Sequence, residues 1–423
     1  MKKIYKVTFF SGCYTLLKMA AGFIVSKVIA IYAGPSGMAM LGQLQSIIVI
    51  INGLVTAPAG NGLVRYTAEN HNQSIVSCIP WWRACLCISC ALMLCIIPLV
   101  IFCADTISYY VFSTNKYAWL IILGCVVLPF SLANTIISSV LNGKEKYKEF
   151  ISLGMFSVII STTLIIILII NYGLTGGLIA IVLGSALSGL VMLIYAMTTS
   201  WFKIKYWIGK TDKESLKGIF GYTIMALTTA VTAPIALILV RNIIVEESGW
   251  NQAGQWQSVW KISEVYLSVI TIALSTYVIP KLSLLKNPIV IKKEVAVLMK
   301  NILPIVVLMA AGIYFMRDIC ITLLFTEEFR AARELFLYQL IGDVIKVAAF
   351  IYAYPILTQG KTKIYIISEV LFSFGFVILS LIFVKLYGAQ GANIGYMINY
   401  ILYFIFAFTY TNIISIKKEE AIS

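Results

Sequence analysis

Residues 149–170 read EFISLGMFSVIISTTLIIILII, and residues 175–198 read TGGLIAIVLGSALSGLVMLIYAMT. Apart from Glu149 at its edge neither run carries a charge, and Leu164–Ile170 holds no polar side chain. An α-helix needs about 20 apolar residues to cross a bilayer, and in hydrocarbon a backbone must satisfy its own hydrogen bonds, which a helix does. The second run spaces Gly176, Ala180, Gly184 and Ser188 by four, a stripe of small side chains on one helix face. Such a stripe lets a neighbouring helix approach closely. The two runs therefore predict a pair of membrane helices, the first suited to lipid and the second to helix packing.

The same pattern extends in both directions. Candidate spans lie at roughly 7–33, 36–64, 82–103, 117–141, 149–170, 175–198, 217–243, 252–280, 295–316, 331–358, 363–385 and 389–414, twelve in all. The whole chain of 423 residues is 60% apolar and 12% charged, about half the charge of an ordinary globular domain. A soluble protein could not solvate so apolar a surface. Disorder, collagen and a secreted disulfide scaffold are excluded on the same ground. The expectation is an all-α polytopic membrane protein with 12 transmembrane helices. The opening MKKIYK and its apolar continuation carry no small-residue cleavage site and are read as a retained first helix.

The formal charge of +14 would suggest nucleic acid in a soluble chain. Here it reflects loop asymmetry. Twenty-two Lys and Arg fall on one side of the predicted spans and six on the other, with Lys18, Lys27, Lys261 and Lys346 inside them. By the positive-inside rule both termini are cytoplasmic. The eight tryptophans lie near span ends and are expected to form an interfacial belt. This holds for Trp256 and Trp260 too, although four-residue spacing would also let them stack on a sugar. The cysteines Cys85, Cys87 and Cys90 show no zinc spacing, and with His71 as sole histidine no histidine metal cluster is possible. No metal or cofactor is expected.

The chain also repeats. Gly42-Gln43-Leu44-Gln45-Ser46 recurs as Gly254-Gln255-Trp256-Gln257-Ser258, Tyr14-Thr15 as Tyr222-Thr223, and Gly143-Lys144-Glu145-Lys146 as Gly360-Lys361-Thr362-Lys363. Each pair occupies the equivalent place in its half. Six spans per half return the chain to the same side, so the halves are expected to be parallel repeats about an axis along the membrane normal. The predicted organisation is a six-helix bundle over 1–200, a basic cytoplasmic linker over 201–217 and a second six-helix bundle over 218–423.

Charges at mid-bilayer are expensive and rarely face lipid. Lys18 is central in the first span and Lys27 nearer its outer end. Gln257, Lys261, Glu264, Ser268, Thr271 and Ser275 share one face of the eighth span, and Gln339, Asp343 and Lys346 share one face of the tenth. Glu369 sits in the eleventh, with Arg65 and Arg241 near span ends. Two readings stay open. Lys261–Glu264 and Asp343–Lys346 are structural ion pairs at i,i+3, or the cations line a cavity for an anion while the carboxylates balance charge or carry coupling protons. Residues Pro58, Gly60 and Gly62 interrupt the second span, as a plain kink or as a hinge.

There is no GxxxxGK[ST] loop, no HExxH and no Ser-His-Asp set, which argues against an ATP-driven pump or an intramembrane hydrolase. The loops are also too short for a polymerase or ligase with a large outer segment. A transporter, not an enzyme, is expected.

The stretches YTLLKMAAGFIVSKVIAIYAGPSGMAMLGQLQS (14–46), GNGLVRYTAEN (60–70), GQWQSVWKISEVYLSVITIALSTYVIPKLS (254–283) and LFTEEFRAARELFLYQLIGDVIKVAAF (324–350) resemble Wzx-type flippases of the multidrug/oligosaccharidyl-lipid/polysaccharide exporter superfamily. The likeness runs along the whole chain and is strongest to the branch handling O-antigen units of lipopolysaccharide and enterobacterial common antigen (lipid III). It implies two six-helix bundles around a cationic cavity, working by alternating access in the bacterial inner membrane. It implies an undecaprenyl-pyrophosphate-linked oligosaccharide as cargo, with its pyrophosphate meeting Lys18, Lys27, Arg65, Lys261 or Lys346. Coupling to the proton gradient would fall to Glu264, Asp343 and Glu369. Partners would be membrane lipid and the polymerase and chain-length regulator of the same pathway. One departure is Lys261, where the family carries a small polar residue; it either suits this glycan or neutralises Glu264. The competing reading within the superfamily is a multidrug or cation antiporter, which calls for an acid-dominated cavity.

Overall fold

Where the apolar runs end, glycine and proline decide how the helices break. The computed structural model describes residues 2–71, 74–285, 287–359 and 361–419. Lys286 and Gly360, used in the charge and repeat patterns above, lie outside the described residues, as do the side chains of Lys2, Lys3, Lys6, Ser275, Lys417 and Lys418. Among the described residues all regular structure is helical. The helices are α1 (Lys2–Thr56), α2 (Asn61–Asn70), α3 (Ile75–Phe102), α4 (Ala104–Phe112), α5 (Ala118–Gly143), α6 (Tyr147–Met197), α7 (Ile204–Trp207), α8 (Lys213–Ser283), α9 (Pro288–Phe315), α10 (Arg317–Leu324), α11 (Phe336–Thr358), α12 (Thr362–Tyr387) and α13 (Ala389–Glu419). Short 3₁₀ stretches cover Ala57–Ala59, Asn115–Tyr117 and Glu327–Leu335. Nine helical stretches among the described residues are long and apolar enough to cross a membrane. The chain is a multi-pass membrane protein.

Three of the longest helices contain a glycine with non-helical torsions: Gly34 in α1 (φ 60°, ψ −168°), Gly173 in α6 (φ 55°, ψ −135°) and Gly249 in α8 (φ 82°, ψ 168°). A fourth, Gly388 (φ 59°, ψ −145°), separates α12 from α13. At Gly34 the break is doubly determined. Positive φ costs a residue with a Cβ roughly 1–2 kcal/mol, and the following Pro35 disfavours helical torsions before it and lacks an N–H. The sequence distance from Gly34 to Gly249 equals that from Gly173 to Gly388.

The helices gather into two compact units, Met1–Ala33 with Met40–Ile238, and Gly34–Ala39 with Leu239–Ser423. In the first, α5 and α6 pack extensively against each other, over a core that includes Leu120, Ile121, Val140 and Leu141. Close approach is made at glycines: a Cβ on Gly189 would run into the Phe130 carbonyl, and one on Gly176 into the Leu168 carbonyl. Gly184, expected to share that role, has nothing within 4 Å of where its Cβ would be. Gly184 instead meets its neighbour through its backbone, its carbonyl accepting from the Ser161 hydroxyl at 3.4 Å. In the second unit α11 and α13 pack extensively against each other, with α12 and α9 beside them.

The tryptophan belt is corrected for five of its eight members, while Trp119 is exposed and Trp81 and Trp250 are half-buried. Trp82, Trp201, Trp207, Trp256 and Trp260 are buried within their units. Proximity to a span end is compatible with a belt but does not require one, because an indole placed there can equally fill the inside of a bundle.

Candidate functional site

In the second unit the charges converge around α11. Asp343 is fully buried, at 0% exposure. Its Oδ2 accepts hydrogen bonds from the Ser263 hydroxyl (2.7 Å) and the Tyr266 hydroxyl (2.7 Å). Its Oδ1 accepts from the Tyr396 hydroxyl (2.8 Å) and from Gln339 Nε2 (3.2 Å). Ser263 and Tyr266 lie three apart on α8, so one helix face delivers both. Tyr396 arrives from α13 over Gly342: a Cβ there would lie 2.5 Å from Tyr396 Cδ1. Four neutral donors therefore compensate the desolvation of this carboxyl group.

Lys346, one turn further on, is not ion-paired to Asp343 among the described residues. Its ammonium instead faces Tyr400 (5.2 Å to the ring centroid), Phe350 and Tyr396 (both 5.7 Å) and Trp260 (6.0 Å). Aromatic faces attract a cation most where water is scarce. Glu264 and Glu369 are near enough to act electrostatically on Lys346. Glu264 accepts from Lys261 Nζ at 3.1 Å and from Trp260 Nε1 at 3.1 Å. The Lys261–Glu264 pair is thus closed, with side chains 23% and 45% exposed. Arg241 is sealed at 1% exposure, and its Nε donates to Gln257 Oε1 at 2.9 Å.

The first unit presents its cations differently. Lys18 is exposed and lies 4.5 Å over the Tyr14 ring. Lys27 is half-buried on the same helix. Arg65 is exposed on α2, donating from Nε to Glu69 Oε1 (2.7 Å) and from Nη1 to the Tyr222 hydroxyl. Tyr66 stacks on Trp81 with centroids 3.6 Å apart, and Tyr222 meets Tyr66 edge-on. The break before α2 sets this cluster up. Helix α1 stops at Thr56, Pro58 sits in the 3₁₀ turn, and Gly60 takes φ −79°, ψ −133°. The Ala59 carbonyl is taken up by the Ser139 hydroxyl, and Gly62 leaves room for the Tyr222 ring, whose Cγ would lie 3.2 Å from a Cβ there.

A third cluster was not visible as a site. Lys144, just past the end of α5, lies 5.6 Å over Trp82 and 5.2 Å over Trp201. Burial holds its ammonium below the ordinary lysine range. Trp207 stacks on Trp82 at 5.1 Å. No group of three His, Cys, Asp or Glu that could hold a metal occurs among the described residues.

A model of a family described as polysaccharide biosynthesis protein matches residues 60–334. The chain belongs to that family. This chain is 28% identical over 404 residues to the lipid III flippase of Escherichia coli K12, covering 94% of this chain and 96% of that one. The lipid III flippase of Shigella flexneri matches equally well. Among solved structures it resembles an inward-facing multidrug resistance MATE transporter of the MOP superfamily (TM-score 0.76, 16% identity, 97% and 96% of the two chains covered). It also resembles the lipid II flippase MurJ in an inward closed conformation (TM-score 0.72, 17% identity, 96% and 87% covered). The relatives of this chain are flippases and transporters, not enzymes.

Of the charged residues singled out from the sequence, Arg241, Lys261, Glu264, Asp343, Lys346 and Glu369 belong to the second unit and Lys18, Lys27 and Arg65 to the first. Of the donors to Asp343, sequence reading placed Gln339 on the same face and missed the other three. Ser263 and Tyr266 fall off the polar stripe of α8, and Tyr396 stands on another helix between Gly395 and Met397, with Asn393 and Asn399 three residues to either side. The i,i+3 spacing of Ser263 and Tyr266 was the available signal.

Proposed function

We propose that this protein moves a lipid-linked oligosaccharide of the undecaprenyl-pyrophosphate type, an O-antigen or enterobacterial common antigen unit, from the cytoplasmic to the periplasmic leaflet of the bacterial inner membrane. The observation that carries the reading is the similarity to lipid III flippases along nearly the full length of both chains. The exposed cations support it: Lys18 in particular has only an aromatic ring against it among the described residues. A pyrophosphate suits a compact ammonium ligand. In the first unit the candidate ligands are Lys18, Lys27 and Arg65. In the second they are Lys261 and Lys346, with Arg241 too enclosed to act without its cover moving.

The reading includes twelve crossings in two sequence repeats of six, over 1–200 and 218–423, joined by the linker 201–217, with both termini cytoplasmic. Nine apolar stretches, three of them divided by a left-handed glycine, support that number. A repeat boundary in sequence need not coincide with the packing boundary after Ile238. Alternating access coupled to the proton gradient is part of the same proposal. Asp343, held by neutral donors, and Glu369 and Glu264 around Lys346 are the groups that would exchange protons or balance charge. Pro58, Gly60 and Gly62 would serve as a hinge. The polymerase and chain-length regulator would act on the delivered unit.

The test is a deletion followed by localisation of the lipid-linked glycan. Intact units retained on the cytoplasmic leaflet with loss of surface polysaccharide are expected. A multidrug or cation antiporter is the second reading, favoured by the MATE resemblance. Normal glycan export with altered drug tolerance would replace the first reading by the second.

A further inference from the structure

The segment joining the two sequence repeats is strapped onto the first unit. Arg83 of α3 reaches beneath it, donating from Nη2 to the Lys205 carbonyl (2.6 Å) and from Nη1 to the Lys210 carbonyl (3.4 Å). Gly209 makes room: its φ is 147°, and a Cβ would lie 2.6 Å from Arg83 Cζ. Trp201 and Trp207, both buried, clamp the strap onto Trp82.

The other side of the strap is unlike its anchored side. Ile204 and Ile208 are 75% and 67% exposed. They roof a cavity of about 350 Å³ whose floor includes Leu86 and Met93 of α3 and Leu132 and Ile136 of α5. Its walls are almost wholly apolar. Lys203 and Lys205 flank Ile204, and Lys210 follows Ile208 by two residues; all three are exposed. Among the described residues no carboxylate pairs with any of them. The nearby Asp212 carboxylate is engaged by the Ser215 backbone N–H. Exposed isoleucines alternating with lysines are the composition of an interfacial segment, where apolar side chains enter the acyl region and cations meet anionic headgroups.

We propose that this groove is a binding site for an anionic phospholipid, one acyl chain lying beneath Ile204 and Ile208 and the phosphate held by Lys203, Lys205 and Lys210. A hydrocarbon chain matches the apolar walls, and three exposed lysines on the segment that carries Ile204 and Ile208, Lys205 with its ammonium over the Tyr206 ring, select a negative headgroup. The roof is fixed at three points, by Arg83, Trp201 and Trp207, which suits a resident lipid better than a cargo that must enter and leave every cycle. The site is independent of whether the cargo is a glycolipid or a drug.

The test uses the purified full chain in nanodiscs with phosphatidylglycerol carrying a diazirine in its acyl tail. Crosslinks concentrated on peptides covering 86–93, 129–137 and 204–208 are expected. Crosslinks spread evenly over all lipid-facing helices would overturn the site. A binding measurement in detergent with fluorescent phosphatidylglycerol supplies the second arm. Ala133→Trp, which fills the groove, and the triple variant Lys203→Gln, Lys205→Gln, Lys210→Gln should each weaken binding at least tenfold. Wild-type protein should prefer phosphatidylglycerol to phosphatidylcholine, and the triple variant should not. Equal binding of both lipids by wild type would defeat the headgroup assignment. Displacement by undecaprenyl phosphate at lower concentration than by phosphatidylglycerol would reassign the groove to a polyprenyl tail.

Discussion

Gln43 and Gln255 make the same kind of bond in the two halves of the chain. Both are fully buried. Gln43 Nε2 donates to the Val111 carbonyl at 3.4 Å, and Gln255 Nε2 donates to the Glu328 carbonyl at 2.6 Å. Val111 lies near the end of α4 and Glu328 in the 3₁₀ stretch after α10, the connections that follow the third and ninth predicted spans. A repeated glutamine thus serves a repeated purpose: its side-chain amide donates to a backbone carbonyl of the segment that follows the third or the ninth predicted span.

Replacing either glutamine by leucine should leave that carbonyl without its donor, at about 1–3 kcal/mol. The shorter bond predicts the larger loss for Gln255→Leu. Thermal unfolding of both variants in the same detergent checks the order, and equal melting temperatures would show that the two bonds are not worth different amounts.

Removing one donor from Asp343 should be felt strongly, because the carboxyl group has no water to turn to. Tyr266→Phe is expected to cost about 1.5–3 kcal/mol, the range for a hydrogen bond to a charged group. Asp343→Asn should accumulate in the membrane yet restore no surface polysaccharide to a deletion strain. Full restoration by Asp343→Asn would remove this carboxylate from the coupling step.

Lys18→Ala and Lys346→Ala are each expected to abolish surface polysaccharide at wild-type protein levels. Lys18→Ala should leave the melting temperature unchanged, since its side chain is exposed and lies over a tyrosine ring. Lys346→Ala opens space among Trp260, Phe350, Tyr396 and Tyr400 and should lower it. Normal export by both variants would end the anion-ligand reading.

Gly184→Ala and Gly189→Ala place the same methyl group on α6 with opposite results. The first enters open space and should be neutral. The second meets the Phe130 carbonyl and should destabilise by about 1–3 kcal/mol through overpacking. Comparing detergent melting curves of the pair tests whether α5 and α6 touch at the position described.

Asp212 caps the start of α8, its Oδ2 accepting from the Ser215 N–H at 2.9 Å, and that bond holds its carboxyl below the usual aspartate range. A depressed value means the unfolded chain binds the proton first. The stabilisation is therefore complete above about pH 4 and disappears as pH falls through the lower folded value. Asp212→Ala should cost about 1 kcal/mol at neutral pH, with the gap to wild type closing in acid.

The membrane class and the helix runs were legible because they depend on apolar length alone. Gln43 and Gln255, matched in the sequence within GQLQS and GQWQS, each donate to a backbone carbonyl. The partners of the charges were not legible. Whether Lys346 pairs with Asp343 or with aromatic rings is decided by which side chains other helices bring. No spacing within α11 reveals Tyr396 or Tyr400 on α13. The tryptophans misled for a related reason: position along a helix says how deep a residue lies, not which way it faces.

The stack of Trp207 on Trp82, with Trp201 edge-on to Trp82 and Lys144 against both Trp82 and Trp201, has a spectroscopic consequence. Indoles this close couple their transitions, so the trio should give a near-ultraviolet circular dichroism band and an emission unlike that of the other tryptophans. Lifting the linker would separate Trp207 from Trp82 and erase the coupling. The protein therefore carries its own unlabelled gauge of whether the segment between its repeats is docked.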